Sequence, residues 1–208
     1  PRLRTYDRHF YNTQLADLLS RLEIPHPVLV VGSSQGGSIG ACFAAENPGR
    51  VKKLALLAPF VDDFAGSRGV LASLLRSPLV GELLLRLAGD DKFIDLSDSI
   101  VSDDMRAALE PEVANQFRFG GKRRAILANL RGDALEDATS CYHSVKEQGI
   151  PTLLTWGTLD EKIPADSMQR LRKLLPGIEY HEIERAGHLA HYESPERIYQ
   201  LLIRFLTG

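Results

Sequence analysis

The apolar residues of this chain fall into two periods. Val28 to Val31 is an unbroken, mostly β-branched run, and Val51 to Ala58 carries Leu54, Ala55, Leu56 and Leu57 in its middle. Runs of this kind read as strands buried on both faces of a parallel sheet. Ile150 to Trp156 and Ile178 to Ile183 read as two further strands. Around them the period becomes helical. Tyr11 to Leu22 places Leu15, Leu18, Leu19 and Leu22 on one face, and Ala165 to Leu175 and Pro195 to Leu206 are two more helices. A run of small residues ending at Ala45 suits a helix directly after the first strand. Asn12 or Thr13 is expected to cap the first helix, and Pro25 and Pro27 to separate it from the strand. Asn47-Pro48-Gly49-Arg50 and Pro59 close the next two elements.

From Val61 to Glu147 the pattern is helical throughout: Val70 to Leu75, Leu79 to Ala88, Ser102 to Phe117, Gly121 to Leu130 and Ala138 to Gln148. Pro111 is expected to break the third of these. A crossover between parallel strands needs only a dozen or so residues, and this connection is far longer. The expected organisation is therefore an α/β core at 1–60 and 148–208 with a helical cap inserted at 61–147.

Composition narrows the function without choosing it. The chain has 208 residues, 44% hydrophobic and 25% charged, which fits one soluble domain with an inserted subdomain. A net charge of −2 gives no reason to expect nucleic acid or an anionic membrane as partner. No apolar run reaches membrane-spanning length. Cys42 and Cys141 have no metal-site spacing. No disulfide framework is expected, and Cys42 reads as a buried small hydrophobe. A cytoplasmic location is the expectation, although residue 1 is Pro and shows no start signal.

The chemistry enters at Gly32-Ser33-Ser34-Gln35-Gly36. It fits G-x-S-x-G between a strand and a helix, the setting of a nucleophile elbow. Ser34 needs a strained backbone to project its hydroxyl, Gly32 and Gly36 need to be small to avoid collision, and Gly37 lets the helix approach the strand. The N–H of Gln35, at the positive end of the helix dipole, is placed to stabilise an oxyanion. A serine hydroxyl needs a base, and the base needs an acid. Asp160 and His188 follow the third and fourth strands, where an open α/β sheet places its active groups. Asp62 and Asp63, after the second strand, are rivals for the acid, and Glu161 is adjacent to it. His191 reads as a surface or cleft-rim residue, and His181 as exposed or packed. Lys122-Arg123-Arg124 reads as a solvated helix face, and Trp156 as core packing.

Three stretches together resemble the α/β-hydrolase family of serine esterases and lipases. They are Gly32-Ser-Ser-Gln-Gly-Gly37, Pro151-Thr-Leu-Leu-Thr-Trp-Gly-Thr-Leu-Asp-Glu-Lys-Ile-Pro164, and Ala186-Gly-His-Leu-Ala-His-Tyr-Glu-Ser-Pro-Glu196. The resemblance implies Ser34 as nucleophile, Asp160 as acid, His188 as general base and the Gln35 N–H as one oxyanion donor. It implies hydrolysis of a carboxylic ester of a small or medium acyl substrate through an acyl-enzyme, with no cofactor and no metal. Carbon–carbon bond hydrolysis of the meta-cleavage-product type would use the same triad, and thioester, lactone or amide hydrolysis shares its logic. A non-catalytic ligand-binding member of the fold is the alternative outside enzymology. A phosphate-binding α/β domain would leave the aspartate and histidine loops unexplained. Relative to the family, the earlier strands and the loop supplying a second oxyanion donor have no counterpart here. The elbow strand is therefore expected to show an exposed apolar edge. An N-terminal segment, or a second chain completing the sheet, is the expected macromolecular partner.

Overall fold

The computed structural model describes residues 5–62, 69–88, 96–119 and 121–208. Its four strands are β1 (Val28–Ser33), β2 (Val51–Leu57), β3 (Thr152–Gly157) and β4 (Glu179–Ile183), all parallel and in the order β1-β2-β3-β4. Gly32 pairs with Leu56, Leu56 with Leu154, and Leu154 with Tyr180, so the carboxyl ends of all four strands lie along one rim.

Strand alternation splits the core in two. Leu54, Leu56, Leu154 and Trp156 face α1 (Arg8–Arg21), α2 (Gln35–Glu46) and the later helices α7 (Thr139–Glu147) and α8 (Ala165–Leu174). Ala55, Leu57 and Leu153 face α9 (Ala190–Glu193) and α10 (Pro195–Thr207) through Ala190, Ile198 and Leu201. This is a parallel sheet flanked by helices, as the sequence predicts. β1 departs from expectation in one respect. Val28 and Val30 pack on the first core, but Leu29 and Val31 are 45% and 46% exposed, so only one face of the strand is covered. α10 packs on the second face against residues of β2, β3 and β4. The expected apolar edge at β1 is present in this form.

Between β2 and β3 the described elements are helices: α3 (Val70–Arg76), α4 (Val80–Ala88), α5 (Asp103–Gln116), α6 (Lys122–Arg131) and α7. α5 continues through Pro111, which does not break it. Pro111 and Ala107, whose carbonyl loses its donor, are both exposed, so the missing hydrogen bond leaves no buried polar group behind. Arg131 ties α6 to the α3–α4 turn. Its guanidinium donates to the carbonyls of Arg76 and Ser77 and to both carboxylate oxygens of Glu82. That pairing holds the Glu82 carboxyl at a pKa of about 2, below the usual range.

α1 starts earlier than its leucine pattern indicates. Asp7, not Asn12 or Thr13, caps it, accepting from the Phe10 N–H at 2.8 Å. The cause is tertiary: Arg8 N–H donates to Asp133, and its guanidinium to the carbonyls of Glu136 and Asp137. Asn12 is buried inside the helix.

The expectation of no disulfide is overturned. Cys42 of α2 and Cys141 of α7 are bonded at 2.08 Å across 99 positions. Both are buried where the two helices pack over the sheet. That approach is a product of tertiary packing and leaves no trace in local spacing. Because the bond closes so long a loop, it constrains the unfolded chain strongly. Reduction, or a Cys42→Ala/Cys141→Ala double variant, is expected to lower stability by about 2–4 kcal/mol, read as a fall in the urea midpoint.

Candidate active site

The first piece of the site is the turn from β1 into α2. Ser34 lies there at φ 52° and ψ −123°, a region non-glycine residues avoid. Its N–H donates to Leu57 O at 2.9 Å, and its carbonyl accepts from the N–H groups of Gly37 at 3.0 Å and Phe60 at 3.4 Å. The turn is thus hung on the end of β2. A Cβ on Gly32 would meet the Gly36 carbonyl oxygen at 2.4 Å, and one on Gly37 would meet Pro59 Cβ at 2.7 Å. Gly36 differs from expectation: a Cβ there would meet nothing within 4 Å. The collision at this turn involves the backbone of Gly36, not its side chain. Gln35 opens α2, so its N–H has no acceptor within the helix.

The loops after β3 and β4 bring the other two groups. His188 Nε2 stands 2.8 Å from Ser34 Oγ, and His188 Nδ1 stands 2.9 Å from Asp160 Oδ2. The other oxygen of Asp160 accepts from the N–H groups of Lys162 and Ile163, each at 2.9 Å. The Asp160 side chain is fully buried and that of His188 is 5% exposed. One face of the imidazole edge is thus fixed by a buried carboxylate, and the other nitrogen is aimed at a hydroxyl. This arrangement can draw a proton from the serine and hold it.

Several contacts hold these loops in register. Trp156 Nε1 donates to Ile163 O at 3.0 Å, pinning the aspartate loop to its own strand. Gly157 ends β3 so close to the histidine turn that a Cβ would meet Gly187 O at 2.2 Å and Ala186 O at 2.4 Å. The Glu193 carboxylate accepts from Gly187 N–H at 2.6 Å on one oxygen and from Val101 and Ser102 N–H at 2.7 and 3.0 Å on the other. Leu189 N–H donates to Ser99 O at 3.0 Å, and Lys162 pairs with Asp98 at 2.7 Å. Residues 98–102 therefore strap the aspartate and histidine loops together. The contacts of residues 98–102 are not visible in the sequence, because they join segments far apart in the chain.

The rival residues lie elsewhere. Asp62 accepts from Ser167 and is paired with Arg170. Burial raises its pKa, but the Arg170 and Ser167 hydrogen bonds outweigh that and hold the carboxyl below the usual range. Asp63 lies outside the described residues, and Glu161 is exposed. His181, in the middle of β4, is held by Glu179 and Arg204. His191, expected at the surface or the cleft rim, is half-buried, and its ring lies 4.8 Å from that of Tyr192. Its Nδ1 is buried without a hydrogen-bond partner. Burial, and then the neighbouring His188, push its pKa down. Arg123 and Arg124 are exposed on α6, and Trp156 is buried in the core. Among the described residues no group of three or more His, Cys, Asp or Glu could hold a metal ion, and no helix is long and apolar enough to cross a membrane.

Residues 1–195 match the model of the α/β-hydrolase fold family. A Bacillus subtilis (strain 168) protein with the proposed activity of a 2-succinyl-6-hydroxy-2,4-cyclohexadiene-1-carboxylate synthase is 28% identical, covering 94% of this chain and 71% of that one. The 2-hydroxy-6-oxononadienedioate/2-hydroxy-6-oxononatrienedioate hydrolase of Paraburkholderia xenovorans (strain LB400) is also 28% identical, covering 93% and 66%. Among solved structures, a thermophilic esterase from Thermogutta terrifontis superposes with a TM-score of 0.79 at 20% identity, over 99% of this chain and 74% of that one. The chain thus spans about two thirds of the length of the second of these proteins.

Two measurements probe this architecture. Gly157→Ala should destabilise the fold by roughly 1–3 kcal/mol, as overpacking against backbone does, and thermal unfolding would show it. For His191 the folded state disfavours the proton, so the unfolded chain binds it first. Stability is expected to be full above about pH 6.5 and to fall as pH drops below it, and His191→Gln should flatten that dependence in denaturant titrations.

Proposed function

Since the chain belongs to the α/β-hydrolase family, we propose that it is a serine hydrolase cleaving a carboxylic ester of a small or medium acyl substrate. The observation that carries this reading is the continuous hydrogen-bonded line Ser34–His188–Asp160, with separations of 2.8 and 2.9 Å. In this reading His188 Nε2 takes the proton of Ser34 as Oγ attacks the ester carbonyl. The negative charge moves to the carbonyl oxygen, where the Gln35 N–H donates to it. Collapse of the tetrahedral intermediate breaks the bond to the alkoxy oxygen, which leaves with the proton from His188. Water then gives a proton to His188 and its oxygen to the acyl carbon, and Ser34 recovers its proton as the acid departs. Asp160 stays ionised, orients the imidazole and stabilises its protonated form. The steps are self-contained and draw on no cofactor.

The alternative bond is carbon–carbon. It is favoured by the names of several relatives at 27–29% identity, which are 2-hydroxy-6-oxononadienedioate/2-hydroxy-6-oxononatrienedioate hydrolases. The same serine, base and acid serve there, with a carbon leaving group in place of an alkoxide. Turnover of 4-nitrophenyl butyrate against that of a vinylogous 1,5-diketone separates the two. A protein that keeps the pocket only to bind would turn over neither.

Reaction with a fluorophosphonate, read by intact mass, tests the nucleophile. One adduct is expected on the wild-type chain and none on Ser34→Ala, whose fold should be unchanged. An unmodified, folded wild-type chain would overturn the proposal. Asp160→Asn should lose about 10⁴ in ester turnover while keeping Ser34 in place. Asp62→Asn should keep its turnover; loss there with activity retained in Asp160→Asn would move the acid to the other loop.

A further inference from the structure

The side chain of Gln35 does something its backbone role does not require. Its Nε2 donates to Asn129 Oδ1 at 2.7 Å, and its Oε1 accepts from Asn129 Nδ2 at 3.1 Å. The two carboxamides form a closed pair between the first residue of α2 and α6, 94 positions away. Tyr11 of α1 donates its hydroxyl to the same Asn129 oxygen at 3.1 Å. Burial, followed by the nearby Tyr6, raises the pKa of that phenol, so it stays a donor. Asn129 is itself well anchored. Its neighbours Leu127 and Ala128 are buried, Ala128 O accepts from Tyr6 N–H at 2.8 Å, and Arg131 fastens α6 to the α3–α4 turn.

The reason to hold Gln35 so firmly lies one bond away. The N–H of Gln35 belongs to the Ser34–Gln35 peptide, and the orientation of that peptide depends on the strained ψ of Ser34, −123°. Rotating the peptide would relieve the strain and turn the N–H away from the oxyanion. Its carbonyl side is held by Gly37 and Phe60. Its other side continues into Gln35, whose carbonyl accepts from Ser38 Oγ at 2.9 Å and whose side chain is fixed by Asn129.

We propose that Asn129 is a positioning residue: its amide pair with Gln35, braced by Tyr11, keeps the Ser34–Gln35 peptide turned so that the Gln35 N–H faces the oxyanion. This rests on the serine-hydrolase reading above. Asn129 touches no reacting atom, so its effect falls on transition-state stabilisation and not on substrate binding.

The test is steady-state kinetics on 4-nitrophenyl butyrate with fluorophosphonate labelling of the same samples. Asn129→Leu removes both amide hydrogen bonds at similar volume and should lower kcat roughly tenfold with KM within about twofold, less than the 10²–10³ for losing an oxyanion donor outright. Tyr11→Phe removes only the brace and should cost about twofold to threefold in kcat. The exchange Gln35→Asn/Asn129→Gln restores the pair with its total length unchanged, and should recover most of the kcat lost by Asn129→Leu. Unchanged kcat in Asn129→Leu would overturn the proposal. So would a loss shared between kcat and KM that the exchange does not recover, since that marks a general loosening of the fold. Absence of labelling on the wild-type chain would instead defeat the hydrolase reading, so the two failures are distinct.

Discussion

The structure depends on one backbone conformation, that of Ser34. A residue with a Cβ at positive φ costs on the order of 1–3 kcal/mol, and it persists only where its surroundings over-determine it. Here they do. β1 enters the turn paired with β2, and the strand end of β2 receives the Ser34 N–H. The N–H groups of Gly37 and Phe60 hold the Ser34 carbonyl, and the absence of a side chain at Gly32 leaves room for the Gly36 carbonyl. The parallel sheet is the frame that imposes this turn. Its rim of carboxyl ends then sets where Asp160 and His188 must stand.

Much of this was legible in the chain. β2 and β3 announced themselves because burial on both faces favours apolar runs, and the elbow because backbone collision at Gly32 and close packing at Gly37 admit only glycine. Ser34, Asp160 and His188 could be picked out because each follows a strand, and the structure brings the three together. What the chain hid was long-range. The Asp7 cap, the Cys42–Cys141 bond and the Gln35–Asn129 pair are decided by what lies across the fold. The reading of Gly36 failed for a related reason: motif spacing does not say whether a side chain or a carbonyl makes the clash. β1 read as covered on both faces because a run of apolar residues does not say whether anything packs on Leu29 and Val31.

The helices between β2 and β3 are fastened to the site at separate places and by different chemistry. Neutral amides join α6 to the elbow. A carboxylate that collects three backbone N–H groups, together with a backbone hydrogen bond, joins residues 99–102 to the histidine turn. An ion pair joins Asp98 to the aspartate loop. Hydrogen bonds to backbone and between amides are directional and short in reach, so they fix orientation more sharply than apolar packing does. Helices seated in this way couple their own position to that of the loops carrying Ser34, Asp160 and His188.

The covalent bond between Cys42 and Cys141 gives the chain a topology of its own. It makes a closed ring of the backbone from α2 into the first turn of α7, and that ring includes β2 and the helices α3 to α6. A single cut anywhere on the ring would convert the circle into an open strand without producing two molecules. Ser34 lies before the ring, and Asp160 and His188 lie after it. All three would remain on one covalently linked particle after such a cut, and only a reductant would let the halves diffuse apart.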